Sequence, residues 1–180
     1  LVVSGVLAAR VLGVEGRGAL ALIILVPGIL AQLGSLGLPF ALTHFIANAP
    51  PNTRVLVGRV APVAAGFTAA LVAIHAGVLV VTLRGEPDDL RLAGVMALFA
   101  IPGLVASQYG LAILQGLQKF NRFNVARLAP AAAYALAMLG LFIADSGSVP
   151  LVVGAWLTSV VIGAVVLLGA ALRGLPRDND

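Results

Sequence analysis

Cysteine is absent from the 180 residues, which excludes disulfides, thiolate metal ligands and a cysteine nucleophile. Charge is scarce as well: Asp, Glu, Lys and Arg together make up 10% of the chain. Against this stand 61% hydrophobic residues and a mean hydropathy of +1.09, far outside the composition of a water-soluble domain. The chain therefore reads as an all-α integral membrane protein. Its net charge of +4 does not point to nucleic acid, because the basic residues sit in short stretches between apolar runs and form no single patch.

Chemistry is also thinly provided. No carboxylate falls inside a predicted span, no HExxH or CxxC pattern occurs, and the two histidines, His44 and His75, lie in different spans. A general acid/base pair, a metal site or a phosphate-cradling glycine loop each needs residues that are missing here. Neither catalysis nor a metal nor a cofactor is expected. The paired Asp88 and Asp89 beside Pro87 fit the start of a helix, where carboxylates complement the dipole.

What the chain does have is length of apolar sequence. The runs predict a bundle of about six transmembrane helices in one lobe. The first, over 1–9, is about half of a crossing and reads as a truncated span; the others cover about 18–45, 60–83, 92–117, 125–143 and 150–172. Arg10 and Arg17 are expected in the loop between the first two spans, and Pro50-Pro51 at a helix stop. Within the second span, Gly34, Gly37 and Pro39 predict a kink, since Pro39 cannot donate to the preceding turn and the glycines do not resist bending. Trp156 is expected as an anchor at the membrane surface. Gly66 with Ala70, and Ala131 with Ala135, are spaced for close helix contact.

Orientation follows from the distribution of cations. Arg54, Arg59, Lys119, Arg122, Arg127, Arg173 and Arg177 fall on one side, against Arg10, Arg17, Arg84 and Arg91 on the other. Most of the acids share the poorer side, and the richer side is predicted to be cytoplasmic.

The few polar residues inside the spans are the candidate site. If the fourth helix continues past Gln115, then Gln108, Gln115, Lys119 and Arg122 share a stripe within roughly 60° at 100° per residue. Such a stripe must face protein or water, and it is expected to wall a cavity open to the cytoplasm. Gln32 and Thr43 share a face of the second span, with His44 roughly 100° away near its cytoplasmic end. Thr68, His75 and Thr82 recur at seven-residue steps, which places them on one face. His75 is read near mid-membrane, either as a functional ionisable group or as a neutral imidazole bonded to a threonine on another helix.

The segment ARVLGVEGRGALALIILVPGILAQLGSLGLPFALTHFIA, with LQGLQKFNRFNVARL further on, resembles polysaccharide and lipid-linked oligosaccharide flippases of the multidrug/oligosaccharidyl-lipid/polysaccharide exporter superfamily. The resemblance rests on an AR-x-LG loop before a helix ending in GLP-x-AL-T, and on the junction between the fourth and fifth helices. It implies the amino-terminal lobe of a two-lobe, MATE-like, O-antigen-type transporter, whose second lobe is a partner and which works by alternating access. The implied cargo is a polyprenyl-pyrophosphate-linked glycan moved from the cytoplasmic to the outer leaflet of the bacterial inner membrane. Glycan polymerase or glycosyltransferases are implied as further partners, besides the lipid bilayer itself.

On that reading Lys119, Arg122 and Arg127 would capture the pyrophosphate at the cytoplasmic mouth, Gln108 and Gln115 would bond sugar hydroxyls deeper in, Gln32 would line the cavity, and His44 would be a substrate contact near the cytoplasmic end. In His44 the chain departs from the basic residue that family members often carry at that point. Two alternatives stand beside it: a cation-coupled multidrug extruder of the same superfamily, and a membrane scaffold of a glycan-assembly complex that transports nothing.

Overall fold

The structure, a computed structural model, describes residues 2–49 and 52–176, without the side chains of Val2, Val3, Ser4, Val14 and Glu15. Pro50-Pro51, Arg177 and the two acids Asp178 and Asp180 lie outside the described residues. The chain folds into helices α1 (Val2–Gly34), α2 (Leu38–Asn48), α3 (Thr53–Thr82), α4 (Asp88–Leu98), α5 (Ala100–Gly116), α6 (Phe120–Ile143) and α7 (Val149–Leu172). Among the described residues, five stretches are long and apolar enough to cross a membrane: Gly16–Gly34, Thr53–Thr82, Asp88–Gly116, Phe120–Ile143 and Val149–Leu172. The chain is an all-helical, multi-pass membrane protein.

Several boundaries differ from the sequence reading, each for a local reason. Arg10 and Arg17 lie in helix and not in a loop, because a single residue, Gly13 at φ 68° and ψ −172°, accommodates the whole change of direction inside α1. The stretch after Asn52 is already helical, so α3 begins before the predicted span. Its 30 residues extend roughly 45 Å, more than the ~30 Å hydrocarbon layer. The predicted fourth span is two helices, α4 and α5, parted at Phe99. Pro102 explains the break: it offers no N–H to the Leu98 carbonyl, and its ring crowds that carbonyl. Asp88 and Asp89 occupy the first turn of α4, with Asp88 3.6 Å from the Arg91 guanidinium.

Gly34, Gly37 and Pro39 bracket a true interruption between α1 and α2. Residues 35–37 form a turn in which Leu36 (φ 47°) and Gly37 (φ 75°) are left-handed. The Leu38 amide donates to the Ser35 carbonyl at 2.9 Å. Pro39 sits in the first turn of α2, where its missing N–H leaves no bond unmade.

Helices pack where side chains are smallest. A Cβ on Gly110 of α5 would stand 3.0 Å from the Leu167 backbone carbon of α7, and one on Gly103 2.7 Å from Val160. Gly116 meets Ile46 of α2 in the same way at 2.7 Å, and Gly163 of α7 lies against Pro130 of α6 at 3.0 Å. In lipid, where apolar surface is no less comfortable outside the bundle than inside, such backbone approach supplies the packing that hydrophobicity cannot. The pairs expected from sequence do not serve: nothing lies within 4 Å of a Cβ on Gly66, and Ala131 is exposed.

Two buried clusters result. One gathers Leu42, Ile46, Ile101, Ile113, Leu114 and Leu167; the other gathers Ala8, Leu20, Ala97, Met138 and Val152. Trp156 packs against the second cluster, so it is not simply a surface anchor. Large apolar side chains such as Leu25, Leu136, Ile143 and Val161 point outward, as lipid-facing positions do.

Contacts sort the helix termini into two ends. Gly116 lies against Ile46, and the Lys119 ammonium donates to the Gly174 carbonyl at 2.7 Å, which brings the ends of α2, α5 and α7 together. At the opposite end Val11 meets Gly147 and Gly16 meets Val149. The first end carries Arg54, Lys119, Arg122 and Arg173, while Glu86, Asp88, Asp89 and Asp145 belong to the second.

Gly110→Ala is expected to lower stability by about 1–3 kcal/mol, because the added methyl meets the α7 backbone, which cannot rotate away. Gly66→Ala should be neutral or slightly stabilising, since it meets open space and gains helix propensity. Thermal unfolding of the two variants in the same detergent checks both.

Candidate functional site

At the basic half of the bundle, α1 and α2 stand across from α5 and α6, and a cavity of about 350 Å³ opens between them. Its polar wall is built from separate pieces of chain. Gln32 comes from the last turn of α1, Ser35 from the turn that follows, and Thr43 from α2. Gln108 and Gln115, seven residues apart and so on one face of α5, form the opposite side, and Arg127 closes it from α6. Phe40 and Phe123 add aromatic edges.

The interruption at 35–37 is what shapes this wall. It ends α1 just after Gln32, and α2 restarts with Thr43 facing α5. The Thr43 hydroxyl lies 3.0 Å from the Pro39 carbonyl of its own helix and 3.2 Å from the Ala112 carbonyl of α5. One proton is shared between two acceptors, and the two helices are held in register at the cavity. The Ser35 hydroxyl is likewise committed, donating to the Gln32 carbonyl at 2.9 Å.

The side chains of Gln32, Gln108, Gln115 and Arg127 are different. No hydrogen-bond partner for any of them exists among the described residues, and Arg127 has no carboxylate there. Arg127 lies seven residues into α6, roughly 10 Å from its start. It therefore stands level with Gln108 and is not at the mouth. A guanidinium is always charged and presents a planar fork of donors. Three free amides around it can donate and accept as the ligand requires. The arrangement suits an anion that also carries hydroxyl groups.

Three expected site residues lie elsewhere. Lys119 is outside the cavity because α5 stops at Gly116 and Gln118 takes a left-handed turn (φ 55°), so the helical stripe does not continue. Its ammonium closes the α7 terminus through the Gly174 carbonyl, a structural task. Arg122 lies on another face of α6, beside Val166 and Ala170 of α7. His44 faces outward on α2: its Nε2 is 3.1 Å from the Asn48 side-chain amide, and its ring makes an edge contact with Phe45. The stop signal was in the sequence, since a glycine just before a polar turn commonly ends a helix. Ser35 and Phe123 had no comparable signal, because only the interruption and the antiparallel return of α6 bring them to the wall.

A second, larger cleft of about 700 Å³ separates α3 from α5 and α7 and is lined by alanine and valine with Thr68 and Tyr109. Thr68 spends its hydroxyl on the Ala64 carbonyl at 2.7 Å. His75 and Thr82 line a third cavity, against α1, so the three residues expected on one face of α3 serve two different spaces.

Lys119→Met should lower stability by about 1–3 kcal/mol through the lost charge-assisted bond to Gly174, whereas Arg122→Ala should stay within about 0.5 kcal/mol. Thermal unfolding distinguishes them, and neither substitution should alter what the cavity binds.

No known protein family, no curated protein and no solved structure matches this chain.

Proposed function

We propose that the protein is a flippase lobe that takes a polyprenyl-pyrophosphate-linked glycan from the cytoplasmic leaflet. One observation carries the reading: an unpaired guanidinium and three unpaired amides share one cavity inside the spanning region. A bare cation at such a depth is costly and marks a pathway for a counter-charged group. A pyrophosphate satisfies Arg127 by charge-assisted, two-point hydrogen bonds, and sugar hydroxyls satisfy Gln32, Gln108 and Gln115. The cavity volume of about 350 Å³ is at the lower end of the roughly 300–1,000 Å³ of ligand sites. It suits a headgroup, with a second lobe supplying the facing wall. The apolar cleft beside α3 offers the isoprenoid chain a path that stays in hydrocarbon.

The basic end is then cytoplasmic, in a bacterial inner membrane, and glycan polymerase or glycosyltransferases are the natural neighbours. The apolar cleft is also the one feature in favour of a multidrug extruder, but Arg127 would repel a cationic drug at the polar cavity.

Two substitutions test the proposal, and the lack of native cysteine makes them clean. Cysteines placed at Gln108 and Gln115 should react with a membrane-impermeant maleimide applied from the basic end, and a polyprenyl-pyrophosphate oligosaccharide should protect them. A cysteine at Leu114, which is fully buried, should stay unlabelled. Arg127→Gln should weaken binding of the same lipid about tenfold to a hundredfold, the value of one lost charge-assisted contact. Labelling without protection, or unchanged binding in Arg127→Gln, would move the protein to the scaffold reading.

A further inference from the structure

The third cavity holds a polar group that the proposed cargo does not use. His75 is 1% exposed on α3, and its Nδ1 has no hydrogen-bond partner. Both threonines on its helix face are already committed to their own backbone, Thr68 to Ala64 and Thr82 to Val78 at 2.9 Å. An orphaned buried nitrogen forfeits the hydrogen bond it would make in water, and such a group in a native structure calls for an explanation, such as a bound water or a chemical role.

Although its Nδ1 is buried, the His75 side chain borders open space. It lines a cavity of about 270 Å³ between α1 and α3, whose other end is walled by Thr82 and Glu86. The volume is ample for several waters, each of which occupies roughly 30 Å³ in the liquid. His75 lies seven residues before the end of α3 at Thr82, roughly 10 Å along the helix axis. It is therefore nearer the acidic end of α3 than the basic end. Glu86 stands in the α3–α4 turn, set by Gly85 at φ 83°. From α1 the cavity receives Ala19, Leu22, Ile23 and Val26, and from α4 Leu90, all apolar. Arg17 of α1, Arg91 of α4 and Tyr109 of α5 lie off its wall.

We propose that His75 is a proton-binding site reached by water from the acidic end, with Glu86 as the carboxylate at its mouth. A hydronium ion in the cavity gives its proton to the neutral imidazole and leaves as water, and the reverse step returns the proton. Among the described residues, Glu86 is the one acidic side chain on the wall of that cavity. The site sits at the opposite end of the bundle from Arg127, so proton uptake and cargo capture face opposite sides of the membrane. The inference goes beyond the cargo reading and would survive its failure, because it rests on a different cavity.

Deuterium exchange at the imidazole Cε1 reports both protonation and access to water, and His44, the only other histidine and an exposed one, is the internal control. In the intact protein reconstituted in lipid nanodiscs, His75 should exchange within about tenfold of the His44 rate, with a sigmoidal dependence on pH. Glu86→Gln removes the carboxylate at the cavity mouth and should change the pH dependence of exchange at His75. Exchange at His75 more than about a hundredfold slower than at His44, with no inflection, would mean a dry imidazole and overturn the proposal. An inflection at His75 that Glu86→Gln does not move would overturn the pathway through Glu86.

Discussion

Backbone contact between α5 and α7 at Gly110 and Gly103 is the constraint on which the rest of the bundle depends. Lipid gives helices no hydrophobic reason to associate, so association must come from close approach and from the hydrogen bonds that close approach permits. With α5 fixed against α7, Gly116 can bring α2 in at Ile46, and the Thr43 hydroxyl then reaches the Ala112 carbonyl. Lys119 completes the basic end by closing the last carbonyls of α7. The large side chains are left to face outward, which is a fault in water and a requirement in a bilayer.

Interruptions in the helices position the chemistry. Each one coincides with a residue that cannot continue a helix normally: Gly13 inside α1, Gly37 and Pro39 between α1 and α2, and Pro102 just after Phe99. Broken backbone at membrane depth is tolerated where it lines a cavity, and the turn at 35–37 does so, placing Gln32, Ser35 and Thr43 on one wall. The cavity is polar because its residues come from four helices, each contributing one or two polar groups to an otherwise apolar surface. No helix need be amphipathic enough to be conspicuous.

Among the described residues, His75 Nδ1 is the one buried side-chain polar atom without a hydrogen-bond partner, and it lies away from the polar cavity of Arg127. Arg127 with its amides occupies the basic half, and His75 with Glu86 the other. The mixed charge of one end against the basic character of the other gives the same polarity through the positive-inside preference.

Composition and apolar run length by themselves determined the all-helical, multi-pass character and the approximate spans, because membrane thickness imposes a length that sequence displays directly. Gln32, Gln108, Gln115 and Arg127 were also legible as candidates, being polar residues in stretches that otherwise tolerate none. Only the tertiary structure decided which of them meet. Lys119 and Arg122 left the stripe because a helix that ends at Gly116 does not carry its periodicity forward, and α6 starts at Phe120 with a phase of its own. The close contacts shifted from Gly66 and Ala131 to Gly103, Gly110 and Gly116, since small-residue spacing shows where helices can approach but not which ones do. The sequence left His75 either a functional ionisable group or an imidazole bonded across helices, and the structure leaves its Nδ1 without a partner.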